Sequence, residues 1–282
     1  MKYISFQYQQ RQSYGAVVAD RVIDLGREFG ARAPDLKSLI AQDLMRDAAR
    51  FALQATETLD LKAVQLLPVI PDPGKIFCVG LNYSEHVQES GREVTEHPTI
   101  FLRVPDSQLA HAAAIIAPRE STRLDYEGEI AIVIGKAGRR ISEASAYEHI
   151  AGYACYNDAS VRDWQLATSQ WTAGKNFACT GAFGPWMVSR DEIPDDRVMT
   201  LVTRLNGQEM QRTTTDKLIH GIPRLIAHIS TFSPLAAGDV IVTGTPGGVG
   251  SRRTPPVWMK EGDVVEVEVD AIGVLRNTVM GE

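Results

Sequence analysis

The chain has 282 residues, 44% of them hydrophobic and 23% charged, with a formal net charge of −6. This balance fits a soluble globular protein of one large or two smaller domains and excludes disorder as its main state. Its basic residues cluster only in doublets, Arg139–Arg140 and Arg252–Arg253, which gives a nucleic-acid partner no basis, and no apolar run approaches the ~20 residues that span a bilayer. In chain order, the N-terminal MKYISFQYQQ has no apolar signal core, and the expected location is the cytoplasm. SYGAVVAD and RVIDLG predict short strands. Leu36 to Leu59 has helical spacing, with Leu39, Ile40, Leu44, Met45, Ala48, Ala52 and Leu59 on one face. Three prolines between Pro68 and Gly74 deny a continuing helix and mark a boundary, giving a small N-terminal domain over 1–70 and a larger one over 75–282.

From Lys75 onward the texture is β-rich. KIFCVG, EIAIVIG, IAGYACYND, TLVTRLNG, DVIVTG and DVVEVEVD predict strands, the last with Val265, Val267 and Val269 on one face and Glu266 and Glu268 on the other. Lys217 to Phe232 is the clearest helix. Many strands with long excursions predict an α+β, mostly β, mixed sheet and not a doubly wound parallel one. Cys78, Cys155 and Cys179 are odd in number without a CxxC pair, which excludes a disulfide framework and a thiolate zinc site.

Five segments carry potential chemistry. In Asp125-Tyr-Glu127-Gly-Glu129, period-2 geometry puts Glu127 and Glu129 on one sheet face, roughly 6.5–7 Å apart along the strand. Like charges so placed need a cation, a shared proton or water. With Asp158 in GYACYND they make an all-oxygen set suited to Mg²⁺ or Mn²⁺, with Ca²⁺ a further candidate. A solvated strand end fits the same spacing. His86 and Glu89 stand i, i+3, where a carboxylate can raise the basicity of an imidazole that activates water, or simply form a surface pair. Lys175 in TAGKNFACTG has small or apolar neighbours and fits either an anion-stabilising lysine or one snorkelling at a strand edge. The turn Thr243-Gly-Thr-Pro-Gly-Gly-Val-Gly250 can offer N–H groups to an anion or serve as a tight structural turn, and is neither a P-loop nor a dinucleotide fingerprint. Arg162 and Gln165 follow Asp158, and an arginine there can grip a carboxylate through two parallel hydrogen bonds.

The ordered series GLNY-x-x-H-x-x-E, D-x-E-x-E before IAIVIG, GY-x-x-x-ND-x-S-x-R-D-x-Q, K-x-F with GPW, and GD-x-I-x-TGTPGGVG resembles the fumarylacetoacetate hydrolase family over roughly residues 75–282. The resemblance implies a mixed β-sheet roll around a Mg²⁺ or Mn²⁺ site and a homodimer. It implies Glu127, Glu129 and Asp158 as metal ligands, and His86 and Glu89 as a water-activating dyad on a segment that orders as a lid. It further implies Lys175 as a stabiliser of developing negative charge, with Arg162, Gln165 and Thr245 near the substrate. The activity it implies is cleavage of a C–C bond in an acylpyruvate-type (1,3-diketo acid) substrate during breakdown of aromatic compounds. A decarboxylase or isomerase of a related 2-oxo or 2-hydroxy-dienoic acid fits the same residues, as does a non-catalytic protein that binds metal or a small acid. Two departures are expected near the pocket: Ala178 where many members have aspartate, and Arg103 where many have lysine.

Overall fold

Alternating and β-branched runs form the strands as expected, and they assemble into two main sheets. The computed structural model describes residues 1–282, with twelve strands in one mixed sheet and five in another. Across the larger sheet the order is Leu59–Asp60, Arg21–Asp24, Arg11–Val18, Lys2–Tyr8, Gly181–Ser189, Ile150–Asp158, Gly128–Ile134, Val240–Val242, Ile76–Gly80 and Thr99–Arg103. Val240–Val242 runs parallel to Ile76–Gly80, and its other neighbour, Gly128–Ile134, is antiparallel to it. The five-stranded sheet runs Gln208–Thr214, Thr200–Leu205, Val264–Val269, Gly273–Gly281 and Ala114–Ala117.

Gly128–Ile134 is buried along its whole length. Its alternation serves two cores at once. Ile130, Ile132 and Ile134 pack with Val265, Val267 and Val269 of the second sheet and with Leu225, Ile226 and Ile229 of the helix Ile222–Phe232. Ala131 and Val133 join Tyr3, Leu36, Leu39 and Val242 on the opposite side. Residues 67–75 have no regular structure. The strand Lys2–Tyr8 pairs with Gly181–Ser189 through Lys2↔Val188 and Tyr3↔Met187, so sheet and core run without interruption between the N-terminal 70 residues and the rest.

Two helix expectations need correction. The single helix from Leu36 to Leu59 is two, Leu36–Ala41 and Met45–Gln54, and Leu59 lies in a strand. Asp43 turns left-handed at φ 56°. Leu44 N–H then donates to Leu39 O at 3.1 Å and Asp43 N–H to Ile40 O at 3.0 Å. This is a Schellman stop with aspartate where glycine is usual, so composition did not flag it. The second helix begins at Ile222 and not Lys217, because Pro223 suits a first turn and Thr215–Lys217 forms a separate 3₁₀ turn. No helix is long and apolar enough to cross a membrane.

Candidate active site and metal seat

Strand pairing builds the acidic cluster. Gly128 pairs with Asn157 and Glu129 with Tyr156, which sets Glu127 opposite Asp158 at the strand ends, and Asp158 N–H donates to Glu127 O at 2.9 Å. Glu127, Glu129 and Asp158 are all buried, and each offers an oxygen within 4.8 Å of the others. Three cations stand around them. Lys175 Nζ donates to Glu127 Oε2 at 2.5 Å, to Asp158 Oδ2 at 2.6 Å and to Asp158 O at 3.3 Å. Arg103 Nη1 meets Asp158 Oδ1 at 2.6 Å, and Arg162 Nη1 meets Glu127 Oε1 at 2.6 Å.

Electrostatics separate the two glutamates. Burial pushes the Glu127 carboxyl up, but Arg162, Lys175 and His86 outweigh it and hold it at about 2. Glu129 is different: its contact is the Gly244 N–H, at 2.5 Å to Oε2, and no lysine or arginine pairs with it. Burial, then Asp158 and Glu127, push its carboxyl well above the usual range. Counting Asp125, four buried carboxylates face three buried cations, and the uncompensated one is Glu129. A hard divalent cation fits this seat, because the donors are all oxygen and the missing charge is positive.

His86 and Glu89 lie on the short helix Ser84–Glu89, where the i, i+3 spacing brings Nδ1 to 2.7 Å from Glu89 Oε1. The glycine-rich turn then anchors the pair: Gly248 N–H donates to Glu89 Oε2 at 2.8 Å. The same turn gives Gly244 N–H to Glu129, and Gly250 and Ser251 N–H to Asp125 at 2.8 and 2.9 Å. The turn does present N–H groups to anions, and those anions are the protein's own carboxylates.

His86, Glu127, Glu129, Lys175, Arg162, Gln165 and Thr245 all line one cleft of about 470 Å³. Phe101, Leu166, Trp171, Val249 and Trp258 supply its apolar walls, and Arg92, Arg123 and Arg252 reach it without an acidic partner. Asp158 contacts Lys175 and Arg103 just behind that surface. Residues 91–97 beside the cleft are exposed and lack helix or strand, although Arg92 stacks over Trp171 at 5.4 Å. His97 of this segment stacks on His228 at 5.5 Å. Burial lowers both His220 and His228 from the ordinary imidazole value, and His97 and Arg224 lower them further, while a backbone hydrogen bond to Thr95 works the other way on His220. For His228, against which His97 stacks, a lowered imidazole favours the docked form only while neutral, so this contact weakens as pH falls through about 6.5, where a released ring gains its proton. Hydrogen exchange over residues 91–97, corrected for its intrinsic pH dependence, should therefore quicken between about pH 7.5 and about pH 5.5. Equal protection at both values would show that the histidines do not hold this segment.

Three expectations change in detail. Arg162 cannot grip a substrate carboxylate with two parallel bonds, because Nε is committed to Asp125 at 2.8 Å and Nη1 to Glu127 at 2.6 Å and Gln165 at 2.8 Å. Thr245 reaches the cleft, but its hydroxyl donates to Gly128 O at 3.0 Å and accepts from Gln211 at 2.8 Å. Ala178 is exposed on a turn outside the cleft lining, since the chain reverses at Cys179 (φ 55°) before the strand Gly181–Ser189. Its loss of a carboxylate therefore says nothing about substrate polarity. Arg103 lies behind Asp158, fully enclosed, with further donors to Ser107, Ala159 and Thr180. Sequence reasoning gave Asp125 no role, although the period-2 run Arg123, Asp125, Glu127, Glu129 contained the signal.

The model for the fumarylacetoacetate (FAA) hydrolase C-terminal domain matches residues 75–280. The chain is 40% identical over 223 residues to the oxaloacetate tautomerase YisK of Bacillus subtilis, covering 78% of this chain and 74% of that protein. It superposes on the fumarylacetoacetate hydrolase of Exiguobacterium antarcticum with a TM-score of 0.87, at 31% identity and with all of both chains covered. It superposes on the maleylpyruvate hydrolase of Sphingobium sp. SYK-6, solved with manganese(II) and pyruvate, with a TM-score of 0.83 at 27% identity, covering 100% of this chain and 99% of that one.

Proposed function

The chain belongs to the fumarylacetoacetate hydrolase family of enzymes, and from that premise we propose that it interconverts the keto and enol forms of a short 2-oxo dicarboxylic acid such as oxaloacetate, using a bound divalent cation. The observation that carries this reading is the His86–Glu89 pair at 2.7 Å, opening onto the same cleft as a buried three-carboxylate cluster. A proton carrier beside a seat for a hard cation is what keto–enol exchange requires.

Glu127, Glu129 and Asp158 would hold Mg²⁺ or Mn²⁺, which supplies Lewis acidity toward the 2-oxo group. The maleylpyruvate hydrolase relative, solved with manganese(II), supports a divalent ion of this kind. Lys175 keeps its proton, because burial alone would lower it but Asp158 and Glu127 outweigh that. It thus adds a fixed positive charge beside the carboxylates. With Nδ1 of His86 engaged by Glu89, Nε2 is the nitrogen left to exchange a proton with carbon 3 of the substrate, while the C2 oxygen exchanges one with water. Glu89 fixes the ring's orientation through that contact. The tryptophan and leucine walls limit water at the reacting carbon, and the unpaired Arg92, Arg123 and Arg252 suit a second carboxylate. Gln165 accepts from Arg162 through Oε1, which leaves its amide N–H groups for a substrate oxygen.

A second reading, hydrolysis of an acylpyruvate, is favoured by the likeness to a maleylpyruvate hydrolase. There His86 would take its proton from water, whose oxygen attacks the distal carbonyl. The C–C bond would break to give pyruvate and an acid. Assembly as a homodimer belongs to the same proposal. Leu102, Val104, Trp164 and Leu166 are 49%, 47%, 42% and 56% exposed, and Asn176–Phe177 links them, since Asn176 bonds to the backbone of Leu102 and of Val104 and Phe177 packs on Trp164.

The deciding experiment supplies enol oxaloacetate and an acylpyruvate panel with Mg²⁺ or Mn²⁺. Enol absorbance should decay much faster than with metal alone, with slower CO₂ release and slower acylpyruvate cleavage. No acceleration of tautomerisation, together with ¹⁸O from water entering an acid released from an acylpyruvate, would overturn the first reading for the second.

A further inference from the structure

Asp125 touches neither the cleft nor the three carboxylates of the metal seat, yet its carboxylate is fully buried and accepts four hydrogen bonds. Oδ1 receives Tyr126 N–H at 2.9 Å and Gly250 N–H at 2.8 Å. Oδ2 receives Ser251 N–H at 2.9 Å and Arg162 Nε at 2.8 Å. The approach of the turn is close enough that a Cβ on Gly250 would lie 2.6 Å from Oδ1 and 2.0 Å from Val257 O. Only glycine allows that docking.

The two ends of this contact lead to opposite sides of the site. Through Arg162 it reaches Glu127 Oε1, at 2.6 Å from Nη1. Through the glycine-rich turn it reaches Glu129, held by Gly244 N–H, and Glu89, held by Gly248 N–H. We propose that Asp125 is the positioning residue of the metal seat: by fixing the Arg162 guanidinium and the turn 244–251 together, it sets the spacing of Glu127 and Glu129 that a divalent cation requires. This rests on the reading of Glu127, Glu129 and Asp158 as metal ligands and adds a residue that is not itself a ligand. Partners that orient ligands in this way contribute about 10–100-fold to metal affinity.

Asp125→Asn tests the idea with little change of volume. Either orientation of the amide puts an NH₂ group against two donors, so two of the four bonds are lost: those from Tyr126 and Gly250 in one orientation, which loosens the turn, or those from Ser251 and Arg162 in the other, which loosens both ends. Calorimetric titration of metal-stripped protein with Mn²⁺, without substrate, should show affinity weakened at least ~10-fold. At saturating Mn²⁺, kcat should recover more than the affinity does. Arg162→Lys keeps the charge but loses the fork that bridges Asp125 and Glu127, and it should weaken Mn²⁺ binding similarly without touching the turn. It also serves where Asp125→Asn does not fold. The double variant should bind Mn²⁺ no more weakly than the worse single one, because both open the same link. Unchanged Mn²⁺ affinity in folded Asp125→Asn or in Arg162→Lys, or strictly additive losses in the double variant, would overturn the proposal. A seat that binds no Mn²⁺ even in the wild type would instead sink the ligand assignment, and a tautomerase that fails only on oxaloacetate would leave both standing.

Discussion

Chelation of divalent metal should reduce turnover to background, a loss of about a thousandfold or more, and Mg²⁺ or Mn²⁺ should restore it. Lewis-acid stabilisation is worth several kcal/mol, and each ~1.4 kcal/mol is tenfold in rate. The site itself makes the demand. Arg103 and Lys175 flank Asp158, and Arg162 and Lys175 flank Glu127, but no cation flanks Glu129. Without a metal, burial and its two acidic neighbours hold the Glu129 carboxyl well above the usual range. Its proton must then leave when a cation binds. Binding should release protons, and affinity should rise with pH until Glu129 is ionised in the free protein. Mn²⁺ titrations in two buffers of different ionisation enthalpy read the proton release directly. Full turnover by rigorously metal-free protein would remove the cation from the reaction, and pH-independent affinity would remove Glu129 from its ligands.

His86→Ala should lower kcat by at least ~10², the scale of a lost proton carrier. Mn²⁺ affinity should stay within a few-fold of wild type, because Nδ1 is directed at Glu89, 2.7 Å away, and the carboxylate cluster is complete without the imidazole. Asp125→Asn should behave oppositely: His86→Ala moves turnover and spares the metal, and Asp125→Asn moves the metal. Near-normal turnover in His86→Ala would reduce the pair to a buried turn contact, and a large fall in Mn²⁺ affinity would make His86 part of the seat.

The strands were legible because their apolar faces alternate or run continuous. GEIAIVI reads as a strand from its β-branched residues alone and is buried on both faces, at Gly128–Ile134. The helical periodicity over residues 36–59 covers two helices because it survives the break between them. Leu39, Ile40, Ala48 and Ala52 are all buried, but on two helices separated by a left-handed Asp43. A hydrophobic pattern records which side chains face the core and not where the backbone turns between them.

In the candidate site, local spacing was enough for two elements. Period 2 put Glu127 and Glu129 on one face, and i, i+3 brought His86 to Glu89. Both depend on a few bonds of chain, so sequence determines them. What surrounds them comes from far away. Lys175 is 48 residues from Glu127, Arg103 is 55 from Asp158, and the Gly248 N–H that anchors Glu89 is 159 away. Those contacts exist because the strands Gly128–Ile134, Ile150–Asp158 and Val240–Val242 lie side by side. The charge balance that leaves Glu129 alone without a cation is a sum over such contacts, as is the commitment of Arg162 to Asp125 and not to a substrate. Sequence alone determined which residue types were present and which near neighbours shared a face. Only the tertiary structure decided which carboxylate lacked a counter-charge, because Coulomb energy depends on distances that chain separation does not set.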